Sequence, residues 1–202
     1  VGSHIFTALE RKESKDELEA QVRLRTLELA EANRGLQQEV FERERAERLQ
    51  ASLFHIAQLA TVDIDEAEFY KRMHLAVGDI INAEKFFIGL LSEDGAVLNF
   101  PYYVDGGLQR QVSREVGRGL SEYVMRTGRA LLGCRADIDR LGLLGEVDIS
   151  RIGRPSLCWL GVPLRVGEDI IGLVVVQSYA EEFAYGPADR DLLGFVALQI
   201  AA

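Results

Sequence analysis

The chain has 202 residues, 48% of them hydrophobic and 27% charged, which is enough apolar material for one packed domain plus an extension. A formal net charge of −9 argues against the clustered basic face that nucleic acid requires and gives no attraction to anionic lipid. The only cysteines, Cys134 and Cys158, make neither a disulfide framework nor a zinc set and suit a reducing cytoplasm, while no run reaches the ~18 apolar residues of a membrane span.

The first four residues, 1-VGSH-4, read as a tag remnant, and 195-FVALQIAA-202 stops inside a helical pattern, so the chain reads as a piece of a longer protein. Residues 5–50 are expected to form one long helix. From Leu18 its apolar positions step by four and three through Val22, Leu29 and Leu36, with Arg25, Ala32 and Glu39 at the alternate sites. That is a heptad whose seam is half polar. Acid-first pairs four apart, Glu39/Arg43 and Glu44/Arg48, support the helix. At Val40 the spacing slips, a change that locally unwinds a coiled coil. The stripe resumes through Leu49, Leu53, Ile56 and Ala60. The alternatives are a solvated single helix and a helix paired with a second copy; a stripe this narrow is better explained by the second, since isolated helices are marginal in water.

The remainder, 51–202, reads as the globular part. In 63-DIDE-66, Asp63 and Glu66 have capping-box spacing for a helix over about 64–81. Strands 85-KFFIGLL-91 and 97-VLNFPYYV-104 flank Asp94-Gly95, a hairpin signal, and Pro101 marks the second as edge or bulged. A helix fits 119-GLSEYVMRTG-128, stopped by Gly128, followed by a short extended run, 130-ALLGC-134. Residues 135–155 show no period and read as a long irregular loop of the kind that carries function. Strands 157-LCWLGVPL-164 and 170-IIGLVVVQS-178 form a second hairpin, and a final helix starts near Pro187. This order predicts an α+β fold, an antiparallel sheet flanked by helices, preceded by the long coiled-coil helix.

Catalytic and metal sites are not expected. His55 and His74 lie in helical stretches without ligand spacing, and 117-GRG-119 lacks the Gly-Lys-Ser/Thr ending of a phosphate loop, so it reads as a helix start. Cys134 ends one strand and Cys158 sits within another; buried structural thiols are the default, and a redox pair is the alternative if they meet in space. Phe100, Tyr102 and Tyr103 on the second strand, with Tyr123 on the third helix, read equally as pocket or core. With 135–155 as a lid they would suit a small apolar or heterocyclic ligand.

Several of these segments in order resemble a GAF domain. Ser156, 162-VPL-164, 171-IG-172, Phe183, Asp189 and 192-LL-193 match its closing half, and 117-GRGLSEYVMRTGRALL-132 matches an earlier stretch. The likeness spans about residues 50–202. Ahead of it, Thr26, Glu28, Leu29, Asn33, Leu36, Glu39 and Val40 carry a pattern similar to the signalling helices that link bacterial sensor domains. The resemblance implies a cytoplasmic sensory and relay module, paired as a homodimer through its N-terminal helix. Such a module binds a small molecule and passes a conformational signal to the output domain of a larger bacterial regulator, such as a sensor kinase or a cyclic-di-GMP enzyme. By fold analogy the pocket is assigned to Phe100, Tyr102, Tyr123, Cys134, Asp137, Ile138, Ser156 and Cys158.

No cofactor is named by these residues. The Asn-Lys pair of cyclic-nucleotide binders is missing, Cys134 precedes Arg135 where bilin-binding relatives usually carry His, and no His follows position 74 for a haem. Methionine-sulfoxide reductases of this fold use cysteines in the loop before the V-P-L strand, whereas Cys158 lies inside that strand and Cys134 upstream of the loop. Neither nucleic acid nor direct membrane contact is expected. The alternatives are a structural dimerisation module without ligand and a thiol-redox enzyme or sensor.

Overall fold

The structure, a computed structural model, describes residues 2–105, 113–151, 156–180 and 184–202, with side chains from Lys15 onward except that of Arg151. Phe183 of the family pattern lies outside the described residues. The chain divides into two compact units, residues 1–50 and 51–202.

The described residues of the first unit are all helical. Helix α1 runs Gly2–Leu59, and every described side chain from Lys15 to Gln50 is exposed, including Leu18, Val22, Leu29 and Leu36. Its surface carries short ion pairs one turn apart, Arg25–Glu28 and Arg43–Glu47, both at 2.9 Å. Arg43 therefore turns toward Glu47, not toward Glu39.

In the second unit, α1 ends by burying Ile56 and Leu59, with Leu53 half-buried; the apolar stripe closes on Leu59, and Ala60 is exposed. Helix α2 spans Glu66–Gly78. Its cap is Asp65, whose carboxylate accepts the Glu68 N–H at 2.8 Å, so the helix begins two residues later than the Asp63/Glu66 spacing suggested. Strands β1 (Lys85–Leu91) and β2 (Val97–Asp105) form a hairpin whose turn uses Gly95 at φ 69°. The short β3 (Arg114–Glu115) leads to helix α3 (Leu120–Thr127), which stops at Gly128 in the left-handed conformation, φ 63°. Then come β4 (Leu131–Cys134), helix α4 (Arg135–Leu143), β5 (Cys158–Val166), β6 (Asp169–Ser178) and helix α5 (Pro187–Ala201).

Helix α4 corrects the expectation of an irregular 135–155 loop. Cys134 is its N-cap, Asp137 reaches back to the Cys134 amide, and Arg135 pairs with Asp139 one turn on. Only Ile138 is fully buried on it, too little to write a helical period in the sequence.

The six strands are antiparallel in the order β3-β2-β1-β6-β5-β4. Strand alternation divides the core in two. One cluster joins Phe86, Ile88, Leu160, Val162, Leu164, Val174 and Val176 to α2, α5 and the end of α1. The other joins Phe87, Leu98, Phe100, Trp159, Leu173 and Val175 to α3 and α4. At Gly172 the alternation has no room for a side chain, because a Cβ there would stand 2.1 Å from the Gly89 carbonyl oxygen.

Pro101 sits in a bulge beyond the reach of β3. Ile88 pairs with Tyr102 and Leu90 with Asn99, so β2 carries one extra residue against Gly89. The bulge resets the alternation: Leu98, Phe100 and Tyr103 belong to the α3/α4 face, while Tyr102 belongs to the α2/α5 face.

Candidate functional site

The α3/α4 face of the sheet ends in a row of polar chemistry that crosses five strands in register. Asp105 on β2 pairs with Lys85 on β1, Lys85 with Gln177 on β6, Gln177 with Trp159 on β5, and Trp159 with Gly133 on β4. Asp105, Lys85 and Gln177 are each only 9% exposed. Charges this deep are costly unless paired. Here the Lys85 ammonium sits 3.0 Å from the Asp105 carboxylate and donates to the Tyr179 hydroxyl at 2.9 Å, flanked by the rings of Tyr103 and Tyr179. Burial works against its charge, but the bonds to Tyr179 and Asp105 outweigh burial and hold Lys85 above the usual lysine range.

Beside the charged pair lies an aromatic floor. Phe87 meets Phe100 edge-on at 5.7 Å and stacks with Tyr103 at 5.6 Å. Trp159 lies across Gly161, where a Cβ would come within 2.2 Å of the indole. Helix α3 covers this floor with Val124 and the half-buried Tyr123, and α4 with Ile138. Gly133 lets α4 approach, since a Cβ there would meet Asp137 at 3.4 Å and Ile138 at 3.9 Å.

At the other end of the same face, Leu91, Val116, Gly117, Glu122, Met125 and Ile170 line an open cleft of about 280 Å³. Glu122 explains the 117-GRG-119 stretch. Its carboxylate bonds Arg114 and accepts the N–H groups of Gly117 and Gly119, each at 3.0 Å, fixing the start of α3. Burial pushes this carboxyl up, but Arg114 and the Gly117 amide prevail and hold it below the usual range.

The residues assigned from sequence do not all meet. Phe100, Tyr123 and Ile138 share the α3/α4 face. Tyr102 lies on the other face, its hydroxyl 2.9 Å from His74 Nδ1 and its ring edge-on to Phe86. The bulge is the reason. Cys158 alternates with Leu160 and Val162 and so also faces α2/α5. Cys134 is exposed at the sheet edge, and Asp137 is engaged as its helix cap, accepting from both the amide and Sγ of Cys134 at 3.1 Å. Those two bonds hold the Asp137 carboxyl below the usual range. Ser156 is buried just ahead of β5. The sequence reading did not single out Lys85, Asp105, Gln177 or Trp159, which strand register brings together, or Tyr179, which lies just past β6 and joins them through its bond from Lys85.

Among the described residues no group of three or more His, Cys, Asp or Glu side chains could hold a metal, and no helix is long and apolar enough to cross a membrane.

A six-stranded antiparallel sheet between two helical layers, with its polar row under α3 and α4, defines the class of small α+β domains to which GAF modules belong. Residues 63–202 match the GAF domain family, and the chain belongs to it. Solved structures agree on the fold. The GAF domain of an Acinetobacter phosphoenolpyruvate-protein phosphotransferase is 18% identical with TM-score 0.63, covering 76% of this chain and 90% of that one. A free methionine-R-sulfoxide reductase from Neisseria meningitidis, in complex with its substrate, is 15% identical with TM-score 0.61, covering 78% and 88%. A methyl-accepting chemotaxis protein, residues 122 to 287, is 17% identical with TM-score 0.57, covering 72% and 92%. This fold thus serves both signalling proteins and enzymes. No curated protein sequence matches the chain.

Proposed function

We propose that this GAF domain is a non-catalytic sensory and relay module that binds a small molecule on the α3/α4 face and acts as a homodimer through α1. The observation that carries the reading is the buried Lys85–Asp105 pair, in register with Gln177 and Trp159 beside an aromatic floor. Such a row offers hydrogen bonds at one end and apolar and aromatic contact along the rest, which suits a planar ligand with a polar group. Phe100, Tyr123 and Ile138 from the sequence reading, with Lys85, Tyr103, Asp105, Trp159 and Gln177, are the residues we assign to it. The exposed heptad positions Leu18, Val22, Leu29 and Leu36 are covered by the same helix of a second copy. Movement of that seam passes the signal to an output domain of a larger, cytoplasmic bacterial regulator.

One observation favours a second reading, dimerisation without ligand: Trp159 is only 2% exposed and fills the space over Gly161. Native mass spectrometry of the purified chain, compared with its denatured mass, separates the two. A dimer with extra mass that disappears on denaturation is the expected result. A dimer of bare chains, with no thermal shift across a metabolite panel, leaves dimerisation alone. A monomer overturns the pairing of α1.

A further inference from the structure

Cys134 and Cys158 stand directly opposite each other on neighbouring antiparallel strands. The hydrogen bond beside them runs from the Arg135 N–H to the Leu157 carbonyl at 3.1 Å, which makes Cys134/Cys158 a non-hydrogen-bonded pair. Pairs of this kind stand about 4.5 Å apart at Cα, inside the roughly 4.4–6.8 Å that a disulfide spans. Their side chains leave the same face of the sheet: Leu132 and Leu160, the in-register pair two residues along, both pack against the α2/α5 cluster. Both thiols are free, and their surroundings differ in a useful way. Cys134 is exposed at the edge strand, while Cys158 is buried.

We propose that Cys134 and Cys158 form a cross-strand dithiol that closes to a disulfide when the chain meets a peroxide. In the first step Cys134 sulfur attacks a peroxide oxygen; the O–O bond breaks, and Cys134 sulfenic acid and water form from hydrogen peroxide. In the second, Cys158 sulfur attacks the Cys134 sulfur, the S–O bond breaks, and a second water leaves with the Cys158 proton. The two thiols lose two electrons, and the peroxide gains them. Cys134 is the attacking residue because it is exposed, and the buried Cys158, its in-register neighbour on β5, resolves it.

Closure has a local consequence. The Cys134 Sγ now bonds the Asp137 carboxylate at 3.1 Å, and it must turn from Asp137 toward β5 to reach Cys158. Asp137 keeps the Cys134 amide as its partner. The first residue of the α4 cap is then tied covalently to β5, while α4 carries Ile138 into the opposite face. The pair lies across the sheet from the polar row, so this inference stands whether or not a ligand binds there.

The test uses the reduced chain, treated with hydrogen peroxide, then alkylated under denaturing conditions and weighed intact without reductant. The expected product is a single chain lighter by two hydrogens, with both thiols lost together, a peptide linking 134 to 158, and full recovery on adding dithiothreitol. The Cys158→Ser chain stops at a Cys134 sulfenic acid that a cyclic dione traps. The Cys134→Ser chain loses its Cys158 thiol at least about tenfold more slowly, as burial predicts. A wild-type product with oxidised Cys134 and an alkylatable Cys158, or a disulfide joining two chains through Cys134, overturns the proposal. The wild-type mass decides it even if a serine variant fails to fold.

Discussion

On the sheet face under α2, α5 and the end of α1, strand after strand contributes Val, Leu, Ile or Phe, with His74 and Tyr102 as a small polar inset. The face under α3 and α4 starts from the same alternation but adds a buried lysine, a buried aspartate, a buried glutamine and, on α3 itself, a buried glutamate. The first face gains stability from apolar area removed from water, which needs no directional partner. Each charge on the second is tolerated because a specific neighbour answers it, and a hydrophobic pair of equal volume is often as stable or more so. Charges kept where apolar residues would serve are what a site for a polar ligand requires, and that is the physical support for the reading proposed above.

The sharpest way to break that contrast is Asp105→Ala. It leaves Lys85 buried without its carboxylate and should cost about 3–5 kcal/mol in chemical denaturation. Replacing both, Lys85→Met with Asp105→Leu, should return stability to within about 1 kcal/mol of the wild type or above it. If the double variant folds and the co-purified mass vanishes, the pair serves binding. Should Asp105→Ala cost only a few tenths, the pair is solvated and the two faces do not differ in kind.

The elements that frame this contrast are legible in the sequence, the contrast itself is not, and the reason is local. The Asp94-Gly95 turn, the Gly128 stop and the Pro187 start were visible because each depends on a backbone rule carried by one or two residues. The GAF likeness was visible because its weak signals come in order. The polar row was not. Counting outward from the Asp94-Gly95 turn pairs Leu91 with Leu98 and Leu90 with Asn99, and carried on unchanged it would set Lys85 against Val104. The single bulge at Pro101 advances the register so that Lys85 meets Asp105, and the same step turns Tyr102 away from Phe100. Pro101 announced a bulge or an edge; which face each later residue took required the register itself. Gln177 and Trp159 join the row only through strand pairing across the sheet, which no local pattern records.

A smaller effect is expected at the far end of the same face. Glu122→Gln keeps the shape but replaces one acceptor oxygen with an amide that opposes the N–H of Gly117 or Gly119. We expect a loss of about 1–3 kcal/mol. The sign with pH follows from the direction of the shift. Because the folded carboxyl is held low, its contribution is fully present above the ordinary glutamate value of about 4.3 and disappears as pH falls through the folded value. Denaturation midpoints of the variant should therefore fall less steeply between about pH 5 and 3 than those of the wild type. Parallel acid limbs would show that Arg114 and the two amides do not depend on the charge.

The smallest effect lies on the apolar face and tests whether its polar inset behaves as core. His74 accepts from the Tyr102 hydroxyl at Nδ1, donates from Nε2 to the Ala83 carbonyl at 2.8 Å, and stacks on Phe86 at 4.9 Å. Both ring nitrogens are used by the neutral imidazole, so a proton on Nδ1 would break the bond from Tyr102. Burial holds the His74 pKa below its usual value, with the Ala83 bond opposing and not overcoming it. The unfolded chain takes up this proton first as pH falls. Stability from His74 is thus complete above the ordinary value of about 6.5 and declines below it, with a slope no steeper than about 1.4 kcal/mol per pH unit for one proton, until the folded value is reached. His74→Phe should remove that slope between about pH 7 and 5.5. An unchanged slope would assign it to other groups and leave His74 a neutral spacer between Tyr102 and Ala83.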